Sequence, residues 1–126
     1  MTIVPGDRVE FTELPGRYSA DPLVAVEASS SVRIVRVARG PHRSAHRHPL
    51  SEEVIYVRQG TGSVYVDGTF TGVGPGDLVH IPAGAAHGTV PDPGETMTLV
   101  CFFPHPDLDE NHEETDIDVM APPIDE

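Results

Sequence analysis

The sequence predicts an all-β fold, a sandwich or barrel formed by a single domain. Five short runs rich in Val, Ile, Tyr and Phe are typical of strands: 32–38, 54–58, 62–67, 77–81 and 96–103. Thirteen prolines and 12 glycines separate such runs with turn signals. No window of about 11 residues repeats apolar positions with a helical period between two caps. The Asp67-Gly68 pair also predicts a two-residue hairpin turn between residues 66 and 69.

The chain of 126 residues is long enough for one core, and its charge divides it in two. We expect a barrel domain over residues 1–106 and an acidic tail over 107–126, which holds nine of the 20 acidic residues. One interpretation of the tail is a solvated extension, so that residues 111–126 could be removed without unfolding the barrel. The alternative is a short helix or strand that packs on the barrel or on another subunit.

Composition excludes several classes of partner. A net charge of −12 without any lysine argues against binding to nucleic acid or to anionic membranes. No apolar run approaches the length of a membrane span, and no secretory signal is evident, so we expect a cytoplasmic protein. The single cysteine, Cys101, lies in an apolar run and is interpreted as a buried free thiol.

Two histidines separated by one residue, His46 and His48, are the first chemical signal. Side chains at i and i+2 of a strand share a face, so both imidazoles can reach one point. Glu53 follows after a turn at residues 49–50, and His87 follows a Pro-Ala-Gly corner that can direct it into the barrel. Three imidazole nitrogens and one carboxylate oxygen suit a divalent transition metal: Fe, Mn, Ni, Zn, Co or Cu.

The spacing of these residues resembles the two motifs of the cupin superfamily. The first motif, over residues 40–60, is matched at Gly40, His46, His48, Glu53 and Gly60. The second motif, over residues 76–91, is matched at Gly76, Pro82, Gly84 and His87, while its final Asn is replaced by Pro91. That last position is not a metal ligand in the family, so the departure concerns only the geometry after His87. The resemblance implies a cupin jelly-roll β-barrel of two antiparallel sheets, one divalent metal per chain and a homodimer.

Two neighbouring acids compete for the carboxylate position of the first motif. The family tolerates either spacing from the histidine pair, which admits both Glu52 and Glu53. The six-residue gap to Gly60 selects Glu53, and Glu52 is then interpreted as a solvated or edge carboxylate.

Three further residues are candidate substrate contacts. His80 lies on a strand of the second motif, His42 precedes the histidine pair, and Arg36 lies in a strand where it could bind an anionic substrate if it faces the cavity. For each of them, ordinary packing or a solvent-facing position is the alternative. His105 and His112 are interpreted as surface groups.

The resemblance implies a metal-dependent enzyme that acts on a small oxygen-bearing organic molecule. Dioxygenase chemistry is the first expectation, with Glu53 as ligand and proton acceptor. A polyketide cyclase, isomerase or lyase of the cupin type is the alternative, because the run from residue 48 to 57 resembles small cupins of aromatic polyketide pathways. A non-catalytic ligand-binding protein and a metal-free structural barrel are the other interpretations.

Overall fold

The structure, a computed structural model, describes residues 1–40 and 43–119, and these form short β-strands joined by turns. A short 3₁₀ turn at Gly6–Arg8 precedes them. The strands are β1 Thr12–Leu14, β2 Arg17–Ala20, β3 Ser31–Ala38, β4 Ser44–Arg47, β5 Glu53–Gln59, β6 Gly62–Val66, β7 Thr69–Val73, β8 Leu78–Ile81, β9 His87–Pro91, β10 Thr96–Phe103 and β11 Glu113–Asp118.

The strands form two antiparallel sheets in a jelly-roll-like arrangement that is not closed into a complete barrel. The larger sheet has the order β1-β2-β3-β10-β5-β8, and the smaller has the order β11-β4-β9-β6-β7. Pairing of distant strands such as β3 with β10 and β4 with β9 joins the two halves of the chain. The predicted all-β fold of two antiparallel sheets is therefore confirmed.

The core lies between the sheets and follows the two-residue alternation of the strands. In β3, Val35 and Val37 are buried whereas Arg36 between them is exposed. In β10, Leu99, Cys101 and Phe103 likewise face inward. The thiol of Cys101 is therefore buried and unpaired, as predicted.

The turn between β6 and β7 has the conformation that its sequence predicts. Val66 pairs with Thr69, and the two residues between them have positive φ, 43° at Asp67 and 95° at Gly68. Asp and especially Gly tolerate this left-handed backbone region, which a two-residue hairpin requires.

The acidic tail is built into the fold as far as residue 119. Strand β11 adds to the edge of the smaller sheet by pairing with β4, and Val119 after it is 5% exposed in the core. Asn111, which precedes β11, is 1% exposed. Of the two interpretations of the tail, the strand packed on the barrel matches the structure of these residues. Residues 120–126 lie outside the described part of the chain.

Within residues 1–40 and 43–119, no helix has the length and apolar character needed to cross a membrane.

Candidate metal centre

The four residues predicted to bind metal come together between the sheets. His46 on β4 pairs directly with His87 on β9, His48 follows β4, and Glu53 begins β5. Each offers one donor atom, and the four atoms lie within 4.8 Å of one another. His48, Glu53 and His87 are buried, while His46 is partly exposed. The cluster is thus able to hold a metal ion.

A tight turn before β9 directs His87 into this cluster. The N–H of Ala85 donates to the carbonyl of Pro82 at 3.2 Å, and Gly84 within the turn has a φ of 81°, which favours glycine. The N–H of Gly84 also donates to the carbonyl of His48 at 2.9 Å. The turn is therefore fastened to the backbone of another ligand candidate, which holds the two histidines in a fixed relation.

Backbone carbonyls fix which nitrogen of two imidazoles faces the cluster. Nδ1 of His48 lies 2.7 Å from the carbonyl oxygen of Asn111, and Nδ1 of His87 lies 3.0 Å from that of Ala85. A carbonyl oxygen only accepts hydrogen bonds, so each Nδ1 carries a proton and, in the neutral ring, Nε2 presents its lone pair. This outer hydrogen bond is the one that metal-binding histidines usually make.

Both Nε2 atoms converge on one carboxylate oxygen. Oε1 of Glu53 lies 2.7 Å from Nε2 of His87 and 3.2 Å from Nε2 of His48. Nε2 of His48 is buried and makes no hydrogen bond. Buried polar atoms are rarely left unpaired. An unpaired, inward-facing nitrogen beside a carboxylate therefore fits a divalent cation at the centre of the cluster.

The protonation states also suit a cation. Burial alone would raise the pKa of the Glu53 carboxyl, but the neighbouring imidazoles of His48 and His87 outweigh it and hold that pKa well below its usual range. Burial, aided by His87, lowers the pKa of His46 well below its ordinary value. At neutral pH the carboxylate is therefore charged and the His46 imidazole is neutral, as metal ligands must be.

A small cavity of about 40 Å³, here called the inner cavity, adjoins the cluster and is lined by both polar and apolar side chains. Outside it lies a depression of about 550 Å³, here called the outer depression. Arg17, Arg43 and His46 line both spaces. Only a group of a few atoms can enter the inner cavity, while a larger body can occupy the outer depression.

Several residues of this site were missed by sequence reasoning. The ring of His112 stacks on that of His46 with centroids 5.0 Å apart and lines the inner cavity, so its interpretation as a surface group is wrong. Its Nε2 is hydrogen-bonded to the carboxylate of Glu114. Pairing of β11 with β4 brings His112, which immediately precedes β11, next to His46. Arg17, Arg33 and Arg43 also line the inner cavity, and none of them was predicted to do so.

Two of the three candidate substrate contacts, His80 and Arg36, lie elsewhere. His80 is paired across the sheet with Val54, whose neighbours Glu53 and Ile55 point inward, so His80 faces outward. Its ring lies 2.7 Å from the carboxylate of Glu52, and both side chains are more than half exposed. The alternation of β3 exposes Arg36, whose guanidinium lies 4.2 Å from the centre of the Phe11 ring.

Placing His80 and Arg36 in the cavity was therefore wrong, because strand register turns both to the outer face. His42 lies outside the described residues. His105 lies away from the cluster, and Ser31 donates to its carbonyl oxygen.

Known structures resemble the fold closely, at low sequence identity. A nucleoside dehydratase from Streptomyces superposes with a TM-score of 0.74 at 19% identity, over 91% of this chain and 90 to 91% of that one. The polyketide cyclase RemF from Streptomyces resistomycificus gives 0.74 at 22% identity, over 93% of this chain and 87% of that one. The oxalate decarboxylase of Lactobacillus farciminis gives 0.72 at 23% identity, over 86% of this chain but 34% of that one.

The family comparison agrees with this fold. No curated protein gives a significant match to the chain. The family described as Cupin domain matches residues 33–103, more than half of the sequence, and this span contains all four residues of the cluster. The chain belongs to the cupin family.

Proposed function

We propose that the chain is a metal-dependent enzyme for a small oxygen-bearing organic substrate, with His46, His48, Glu53 and His87 as ligands of one divalent transition metal. The observation that carries the proposal is the fixed direction of two imidazoles. Their Nδ1 atoms are held by backbone carbonyls, and their Nε2 atoms converge on Oε1 of Glu53. Four donors within 4.8 Å leave open positions on an octahedral ion.

When bound, the ion supplies a Lewis acid that polarises a substrate oxygen. The residues of the chain provide the rest. Glu53 is the proton acceptor, because it is ionised, buried and the one carboxylate among the described residues that line the inner cavity. Ile55, Leu99 and Phe103 give the inner cavity an apolar wall that limits access of water.

Reaction of the substrate with dioxygen is the first version of the proposal. Three neutral imidazoles and one carboxylate leave a divalent ion with one net positive charge, which suits an anionic enolate as the substrate. The non-oxidative version, a dehydratase, cyclase, isomerase or lyase, has its own support. Two of the similar structures are named as a nucleoside dehydratase and a polyketide cyclase. In addition, the oxidisable thiol of Cys101 lines the inner cavity beside Glu53.

Oxygen dependence separates the two versions. Protein loaded in turn with Fe, Mn, Ni, Co, Cu or Zn is incubated with uridine and with a panel of small enolisable carbonyl compounds, in air and under argon. Products are identified by mass spectrometry. Turnover that requires both metal and oxygen supports the dioxygenase, and equal turnover under argon supports the non-oxidative enzyme. Turnover that is unaffected by removal of the metal would contradict both versions.

A homodimer and a cytoplasmic location remain predictions. Exposed apolar side chains on the outer face of the larger sheet, among them Tyr56, Leu78 and Phe102, favour self-association there.

A further inference from the structure

The inner cavity holds an excess of positive charge inside an acidic protein. Arg17, Arg33 and Arg43 line it, and Glu53 is the one carboxylate that lines it among residues 1–40 and 43–119. The whole chain has eight arginines and a net charge of −12. Three of these eight arginines therefore line one cavity of about 40 Å³, so the charge around the cavity is opposite in sign to the charge of the whole chain.

Within the described residues, carboxylates attract these arginines through space without a direct ion pair. Glu114 acts on Arg17 and Arg43, Glu53 acts on Arg43, and Asp21 interacts with Arg33. None of the three forms a salt bridge with a carboxylate in residues 1–40 or 43–119. Arg43 donates from Nη1 to the carbonyl of Thr89 at 3.3 Å, and its backbone N–H donates to the carboxylate of Asp118 at 3.3 Å. Arg17 has one long contact of 3.5 Å to the carbonyl of Pro15. Nε of Arg33 is buried without any hydrogen-bond partner.

The three cations also oppose one another. Burial, followed by the charge of Arg17, lowers the pKa of Arg43 to about 10, so its guanidinium still carries a charge at neutral pH. Burial and then the charge of Arg33 lower the pKa of Arg17. Desolvated cations close to one another are unfavourable unless an anion joins them. Guanidinium groups hold carboxylates and phosphates through paired N–H···O bonds, so such an anion would satisfy the free donors.

The position of the arginines indicates where the anion binds. Arg33 lines the inner cavity, whereas Arg17 and Arg43 stand where the inner cavity meets the outer depression. An oxyanion at this boundary would contact the arginines while its neighbouring atoms reach towards the cluster of His46, His48, Glu53 and His87. The remainder of the molecule has room in the outer depression of about 550 Å³.

We propose that the substrate carries an oxyanion group, a carboxylate or a phosphate, which Arg17, Arg33 and Arg43 bind at the mouth of the inner cavity. This inference rests on the proposed function, because it names the class of substrate for the same site.

Isothermal titration calorimetry with acetate, inorganic phosphate and neutral acetamide, at constant ionic strength, tests this inference. The protein is loaded with zinc, and its metal content is measured in the same samples. Arg33→Gln is compared with Arg36→Gln, which removes an arginine from the same strand but from its exposed face. We expect Arg33→Gln to raise the dissociation constant of the preferred anion about 10-fold or more, and Arg36→Gln to change it less than about 2-fold.

The preferred anion distinguishes the two oxyanions: tighter acetate binding assigns a carboxylate, and tighter phosphate binding assigns a phosphate. An unchanged dissociation constant in Arg33→Gln, acetamide binding as tight as acetate, or no anion binding to the wild type would overturn the inference. Arg17→Gln serves in the same way if Arg33→Gln does not fold. The titrations are repeated on metal-free protein, because the arginines keep their charge without an ion. A protein that fails to bind zinc would contradict the proposed function. The effect of Arg33→Gln on the dissociation constant of the anion, measured on metal-free protein, would still test the anion site.

Discussion

Replacement of Glu53 by Gln is expected to lower turnover per bound metal ion by about 100-fold or more, while the fold is retained. The amide has nearly the same shape, so it fits the buried position of the carboxylate, which is 3% exposed. It carries no negative charge and cannot accept a proton, and it loses the favourable interaction with the imidazoles of His48 and His87. Steady-state kinetics normalised to measured metal content give the comparison.

Glu52→Gln is the matched control. Glu52 is the adjacent residue, but its side chain is exposed and interacts with His80 on the outer face. We expect turnover in this variant to stay within about 2-fold of the wild type, because exposed ion pairs contribute little. If Glu53→Gln keeps full turnover per metal ion, Glu53 has no role as a proton acceptor. If both variants lose activity equally, the choice of Glu53 over Glu52 is wrong.

Asn111→Ala is expected to destabilise the protein by about 2 to 4 kcal/mol and to weaken metal binding about 10-fold or more. The buried Asn111 amide accepts a hydrogen bond from the N–H of Leu50 at 2.8 Å and donates one to Oγ of Ser51 at 2.8 Å. Its own carbonyl orients His48. Loss of the side chain leaves the buried N–H of Leu50 without its partner and removes one of the two hydrogen bonds of the Ser51 hydroxyl, which still donates to the carbonyl of Glu52 at 2.8 Å. It also releases the backbone that fixes the His48 imidazole.

Urea unfolding and a zinc titration measure the two effects of Asn111→Ala. Glu110→Ala is the control, since Glu110 is the preceding residue and its side chain is 65% exposed. We expect that variant to remain within about 0.5 kcal/mol of the wild type. If Asn111→Ala keeps the stability and the zinc affinity of the wild type, the segment before β11 does not support the site. That result would contradict the role inferred from the hydrogen bonds of Asn111.

The motif residues and the strands around them were predictable because their signals are local. Runs rich in Val, Ile, Tyr and Phe identified β3, β5, β6, β8 and β10, and Asp67-Gly68 identified the hairpin. Strands β1, β2, β4, β7, β9 and β11 were not among the predicted runs. They are short or polar, and β11 in particular is mostly exposed, so their structure depends on pairing with distant strands.

The surroundings of the cluster were less predictable, because they depend on register and on long-range pairing. Arg33 and Arg36 belong to the same run, and alternation alone did not show which of them faces the cavity. The burial of Val35 and Val37 decides it, since Arg33 lies in phase with them. His112 and Asn111 lie in an acidic segment whose composition is typical of a solvated chain, and only the pairing of β11 with β4 brings them to His46 and His48.

Metal content measured by inductively coupled plasma mass spectrometry tests the central claim most directly. Wild-type protein, His87→Ala and His80→Ala are purified side by side and reconstituted with the same divalent ions. We expect about one ion per chain in the wild type and in His80→Ala, whose histidine lies on the outer face, and loss of most of it in His87→Ala. Full metal content in His87→Ala, or none in the reconstituted wild type, would contradict the assignment of His46, His48, Glu53 and His87 as the metal site.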